Sequence, residues 1–198
     1  MPSFLSQVNK LLVTVNELPV ADFEGYVAQK AVNAFQSALT FVSSLYRWPH
    51  LKTEVAATSW VGDTIAVLPE FQSVINVYDD TTRAQQVEYS QLKRDYGALP
   101  VWCYRDQQSI LFQPQSAAQK AALRFHLLLM PTIPQTISDN VTLDAPFLRC
   151  VMLYAENELH RTHTTDLAAG NAASRQFEVE LQTLRTRRES DTPTHWRF

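Results

Sequence analysis

Residues 99–114 read LPVWCYRDQQSILFQP. Two short runs, LPVWCYR (99–105) and QSILFQP (108–114), are rich in β-branched and aromatic side chains. The polar stretch Tyr104-Arg105-Asp106-Gln107-Gln108 joins them. That pattern predicts two strands and a hairpin turn, with no apolar stripe at helical spacing. Similar runs lie on either side: KTEVAATSWV at 52–61, DTIAVLP at 63–69, SVINVYD at 73–79, VEYSQLK at 87–93 and ALRFHLLLM at 122–130, separated by Asp, Pro and Gly. Residues 51–130 are therefore expected to form a compact mixed or antiparallel β region. Within it, 79–99 fits a helix nearly as well as a strand.

Outside this region the period changes to that of a helix. Ser3 is placed to cap a helix with apolar positions Phe4, Leu5, Val8, Leu11, Leu12 and Val15, and Leu18-Pro19 is expected to stop it. A second stripe runs through Val27, Ala31, Ala34, Phe35, Ala38, Leu39, Val42 and Leu45, with Asp22 or Glu24 near its start and Trp48-Pro49 at its end. The short connection predicts antiparallel packing of the two. PTIPQTISDN (131–140) reads as a proline-punctuated loop. A third helix follows, capped by Thr142 or Asp144, with Pro146 in its first turn and a stripe of Leu148, Val151, Met152, Ala155 and Leu159. Gly170-Asn171 is expected to break the chain before a last helix, about Ala172 to Arg188, carrying Ala173, Phe177, Leu181 and Leu184. The order helix, helix, strands, helix, helix predicts an α+β fold. Its N-terminal and C-terminal helix pairs form one helical bundle, and the β region is inserted between them. The expected boundaries are 1–50 with 141–189 for the bundle, 51–140 for the β region and 190–198 for an extended tail.

Composition narrows the function classes. The chain has 198 residues, 45% of them hydrophobic and 19% charged. A chain of this mass buries about 70% of its surface on folding, so its core needs no staple. The formal charge of −3 lacks the basic excess of a free-standing duplex-DNA binder. Only four glycines, at 25, 62, 97 and 170, leave no room for a phosphate-binding glycine loop or a G-x-S-x-G elbow. Two cysteines, Cys103 and Cys150, are too few for a disulfide framework and read as reduced core thiols in a cytosol-like compartment. The N-terminal residues show no signal-peptide pattern. The longest apolar cluster, LRFHLLLMP, falls short of the ~20 residues of a membrane span. A soluble protein is expected.

Few residues suggest chemistry. His160 and His163 stand three apart in HRTH, with Glu156, Glu158 and Asp166 nearby. On a helix they share a face, and a metal-dependent hydrolase using His160, His163 and Asp166 is conceivable on that ground. The slot a catalytic glutamate would take holds Arg161 and Thr162, so a solvated helix end is the better reading. Asp79 and Asp80 end an apolar strand and read as turn-formers rather than Mg²⁺ ligands. His126 alternates with Phe125 and Leu127 and belongs on the polar face of a strand. Trp48, Trp60 and Tyr96 read either as exposed aromatics or as core. Arg185, Arg187 and Arg188 on the last helix, with Trp196, Arg197 and Phe198 beyond, combine the residue types enriched at protein interfaces and read as a docking tail. No catalytic, metal or cofactor-binding constellation emerges. The residues alone point to a soluble α+β domain that acts by binding, with a small non-catalytic regulatory module as the alternative.

QVNKLLVTVNELPV (7–20) resembles the opening of the head-to-tail adaptor proteins of short-tailed phages, the tail tubular protein A group. Asn9, Leu12, Glu17, Pro19 and Val20 stand at that family's motif positions. Further matches are Arg47-Trp48 after the second helix, Leu68-Pro69, Val77-Tyr78-Asp79, Ile110-Leu111-Phe112-Gln113-Pro114, Asp144-Ala145-Pro146-Phe147 and AASRQFEVELQTLRTRR at 172–188. The second proline and the glycine of the family's first turn are absent, and 131–134 is proline-rich. The resemblance implies a non-enzymatic structural protein of the virion neck, assembled in the host cytoplasm as a twelve-subunit connector ring. The helical bundle would dock on the portal protein and the β region would meet the tail nozzle protein. The lumen would pass genome DNA during ejection without specific binding, with no membrane involved.

Overall fold

The computed structural model describes residues 2–45, 48–56, 60–66, 71–79, 82–94, 100–105, 109–113 and 116–191, with the side chains of 49, 66, 71, 72 and 187–191 outside that description. Helices are α1 (Phe4–Thr14), α2 (Tyr26–Leu45), α3 (Ala117–Ala122), α4 (Ala145–Leu159) and α5 (Leu167–Asp191). Strands are β1 (Lys52–Ala56), β2 (Trp60–Val61), β3 (Thr64–Ala66), β4 (Phe71–Asp79), β5 (Thr82–Arg83), β6 (Gln85–Gln86), β7 (Val101–Tyr104), β8 (Ser109–Phe112) and β9 (Leu123–Leu129). The fold is mixed α+β. The chain divides into two compact units, Met1–Tyr46 with Pro131–Phe198, and Arg47–Met130.

In the first unit, Ser3 caps α1 by accepting from the Ser6 amide at 3.3 Å. The helix ends before Pro19 is reached. Asn16 takes a left-handed φ of 61°, and the amides of Asn16 and Glu17 return to the carbonyls of Val13 and Leu12. These are the two bonds of a Schellman motif, with asparagine at the position that favours left-handed backbone. Phe4, Val8, Leu11 and Leu12 are fully buried. α2 and α4 pack together, as do α4 and α5, while α1 contacts α2 and α4. Phe4 meets Phe35 with ring centroids 5.4 Å apart, and Tyr154 stacks on Phe41 at 4.4 Å and meets Phe177 edge-on at 5.7 Å.

The stripe of α4 is wider than the spacing predicted. Phe147, Cys150, Val151, Ala155 and Leu159 are fully buried, while Leu148 and Met152 are half-buried. With neighbours on two sides the buried arc is no longer a single line of residues. Asp144 takes the N-cap position with no capping hydrogen bond from its carboxylate, and Pro146 lies in the first turn. The loop 131–140 folds back along α1. Phe4 donates to the Asp139 carbonyl at 2.8 Å and Val141 to the Pro2 carbonyl at 3.1 Å.

The second unit holds two sheets, ordered β1-β9-β4-β5 and β2-β3-β8-β7-β6. All their pairings are antiparallel except β6 with β7. The β7–β8 hairpin has Tyr104 opposite Ile110 and Trp102 opposite Phe112. Its turn residues 106–108 lie outside the described residues. Val74, Val77, Leu123, Phe125 and Leu127 of one sheet share a core with Ile65, Trp102, Ile110 and Phe112 of the other. Three expectations change here. The run 52–61 is two strands in different sheets, β1 and β2. β2 turns into β3 through Gly62-Asp63, where Gly62 has φ 61°. VEYSQLK is not a strand; after two two-residue strands the chain makes a 3₁₀ turn at Tyr89–Gln91. And α3 was not foreseen. Its start is a capping box, with Ser116 and Gln119 bonding each other's backbone amides.

Candidate functional site

Two turns in the helical unit gather several of the residues singled out by sequence. The first follows α1. The Asn9 side chain donates to the Val20 carbonyl at 3.0 Å and accepts from the Val20 amide at 2.8 Å. One primary amide thus mimics a strand partner and fixes the chain as it leaves the Schellman turn. Glu17, on the same turn, accepts from or pairs with His163 at 2.8 Å, joining it to the second turn across 146 residues.

That second turn is the α4–α5 junction. Here α4 widens into a π-helical turn, His160–Thr164, and Thr165 reverses the chain with a left-handed φ of 57°. For a β-branched residue this conformation is strained by about 1–2 kcal/mol. Asp166 then caps α5, accepting from the amides of Ala168 and Ala169 at 3.1 and 3.0 Å. This is why α5 begins at Leu167 and passes through Gly170-Asn171 instead of starting at Ala172. Gly170 is needed for closeness, since a Cβ there would stand 3.2 Å from the Cβ of His160 and 3.3 Å from Oδ1 of Asn157.

The π turn also separates the two histidines. His160 is buried, with Nδ1 3.0 Å from the Thr164 hydroxyl and Nε2 3.9 Å from Glu156. His163 turns to Glu17. Asp166 is occupied at the α5 cap. Two histidines three residues apart no longer share one face once the winding widens. Among the described residues no group of three or more His, Cys, Asp and Glu is placed to hold a metal. Burial pushes the Glu156 carboxyl above its ordinary value, with His160 opposing the shift.

The arginine set divides. Arg185 donates to the Leu45 carbonyl at 3.1 Å, so the last turn of α2 is capped by a guanidinium from α5. Arg187 and Arg188 belong to α5 by their backbone, and their side chains lie outside the description, as do Trp196, Arg197 and Phe198 entirely. Of the expected tail 190–198, residues 190 and 191 continue α5. Arg149 pairs with Glu180 at 2.8 Å. Both cysteines are buried and free. Burial raises both thiols, Cys150 to about 11 with a smaller push from Glu180, which leaves neither a ready nucleophile.

In the strand unit, Asp79 ends β4 opposite Thr82, while Asp80 lies outside the described residues. His126 faces Glu54 at 3.2 Å on the outer side of β9. Trp48 is fully buried, Trp60 is packed on the core, and Tyr96 is outside the described residues. Sequence reading missed Glu17 as the partner of His163 and Glu54 as the partner of His126. Pairs so far apart in the chain leave no spacing to detect. It also missed Asn76, whose buried amide finds no protein partner among the described residues.

No described helix is long and apolar enough to cross a membrane. No protein-family model matches the chain, and a search of curated proteins finds no match either.

Proposed function

We propose that the chain is a structural virion protein, a head-to-tail adaptor that joins a portal to a tail nozzle as one subunit of a ring whose lumen passes DNA. In this reading the first and last helix pairs form the bundle that docks on the portal, and the inserted strands face the nozzle. The observation that carries it is the Asn9–Val20 clamp. Two of the five residues at which the opening resembles the adaptor family, Asn9 and Val20, make a reciprocal pair of hydrogen bonds, which gives that part of the motif a physical reason to exist. The two helix pairs are also tied twice, through Glu17–His163 and Arg185–Leu45. Arg185 serves inside the subunit, so the docking role falls to Arg187, Arg188, Trp196, Arg197 and Phe198. The net charge of −3 suits a lumen that must release DNA.

The protein would assemble in the host cytoplasm and end in the virion neck. The test is electron microscopy of the purified chain mixed with the portal ring of the same virus. A second ring is expected on the portal, and deletion of 189–198 is expected to weaken docking at least ten-fold by the ~1.4 kcal/mol that such anchors exceed. Portal particles that stay bare would sink the reading. Unchanged docking by the truncated chain would sink the role of the tail.

A further inference from the structure

We draw no further inference here: the strongest candidate, the groove along the outer side of α1 lined by Ser6, Asn9, Lys10, Val13 and Pro19, carries nothing because nothing in the structure shows what covers it.

Discussion

The helical unit and the strand unit solve burial in different ways. In the first, Phe4, Leu11, Phe35, Leu39, Phe147 and Leu159 are buried to 1% exposure or less along stripes that the residue spacing dictates. Its few polar residues at the turns are mostly bonded: Asn9 to Val20, Glu17 to His163, Asp166 to the start of α5. In the second, two small sheets share a core drawn from six short segments, and among the described residues three buried side-chain polar atoms lack a protein partner, against Gln7 Nε2 alone in the helical unit. Asn76 sits beside a register shift in β4 with neither amide atom paired to protein among the described residues, and the Trp102 indole N–H is likewise without a protein acceptor. The lesson is that a helix satisfies its backbone from within, so its polar side chains remain free to tie turns together. A strand must borrow partners from far along the chain, and register irregularities then strand polar groups.

The largest test of that contrast is a matched pair of cavities. Phe35 and Phe112 are buried to 0% and 1%. Phe35→Ala and Phe112→Ala are each expected to cost about 3–5 kcal/mol. Denaturant midpoints give the cost, and amide hydrogen exchange gives its location. Protection is expected to fall first in the unit that carries the substitution. Equal loss across both units would erase the distinction drawn between them.

The next effect separates local rules from packing. Gly170 sits in the first turns of α5, where alanine gains up to about 1 kcal/mol of helix propensity. The backbone of α4 and the side chains of His160 and Asn157 stand against it, however. Gly170→Ala is therefore expected to destabilise by about 1 kcal/mol and Gly170→Val by about 2 kcal/mol, through overpacking. A stabilised Gly170→Ala would show that the α4–α5 junction yields more readily than its contacts suggest.

That residue also marks where sequence stopped being informative. The stripes of α1 and α2, the strands β4, β7, β8 and β9, and the burial of Cys103 and Cys150 follow from spacing alone, because one period decides each of them. Gly170-Asn171 reads locally as a break, and its helical state depends on the Asp166 cap and on a neighbour that only tertiary structure supplies. HRTH reads locally as a solvated helix end with two histidines on one face, and the π turn that parts them has no local signature. Glu17 is invisible as a partner for His163 for the same reason. The short edge strands β5 and β6, and the 3₁₀ turn after them, depend on pairing with β4 and β7 rather than on their own composition.

A smaller comparison sets cap against cap. Ser116 opens α3 with a reciprocal box, while Ser3 opens α1 with a single bond of 3.3 Å. Ser116→Ala is expected to cost about 1 kcal/mol and Ser3→Ala about 0.5 kcal/mol, by thermal or chemical melting. The reverse order would mean that α1 depends more on its start than its buried stripe implies.

The smallest effect is a pH dependence with opposing signs inside one unit. Asp139 accepts from the amides of Gln135 and Thr136 and from the Thr136 hydroxyl, which hold its carboxyl below the ordinary value. Its contribution is present above the unfolded-state value near 3.9 and is lost as pH falls through the lower folded one. Glu156 is the opposite case. Burial raises its carboxyl, so the folded chain holds that proton more tightly than the unfolded chain. The native state is therefore favoured by Glu156 at low pH, and that advantage disappears as pH rises from the unfolded-state value of about 4.3 through the raised folded one. Glu156→Gln is expected to flatten this part of the stability profile above the unfolded-state glutamate value and to leave the chain slightly more stable at pH 7, where the variant no longer buries a charge. Asp139→Asn is expected to remove the acid-side loss instead. Urea midpoints measured across pH 3–7 on both variants separate the two, because only the Glu156 variant changes the slope above the unfolded-state glutamate value.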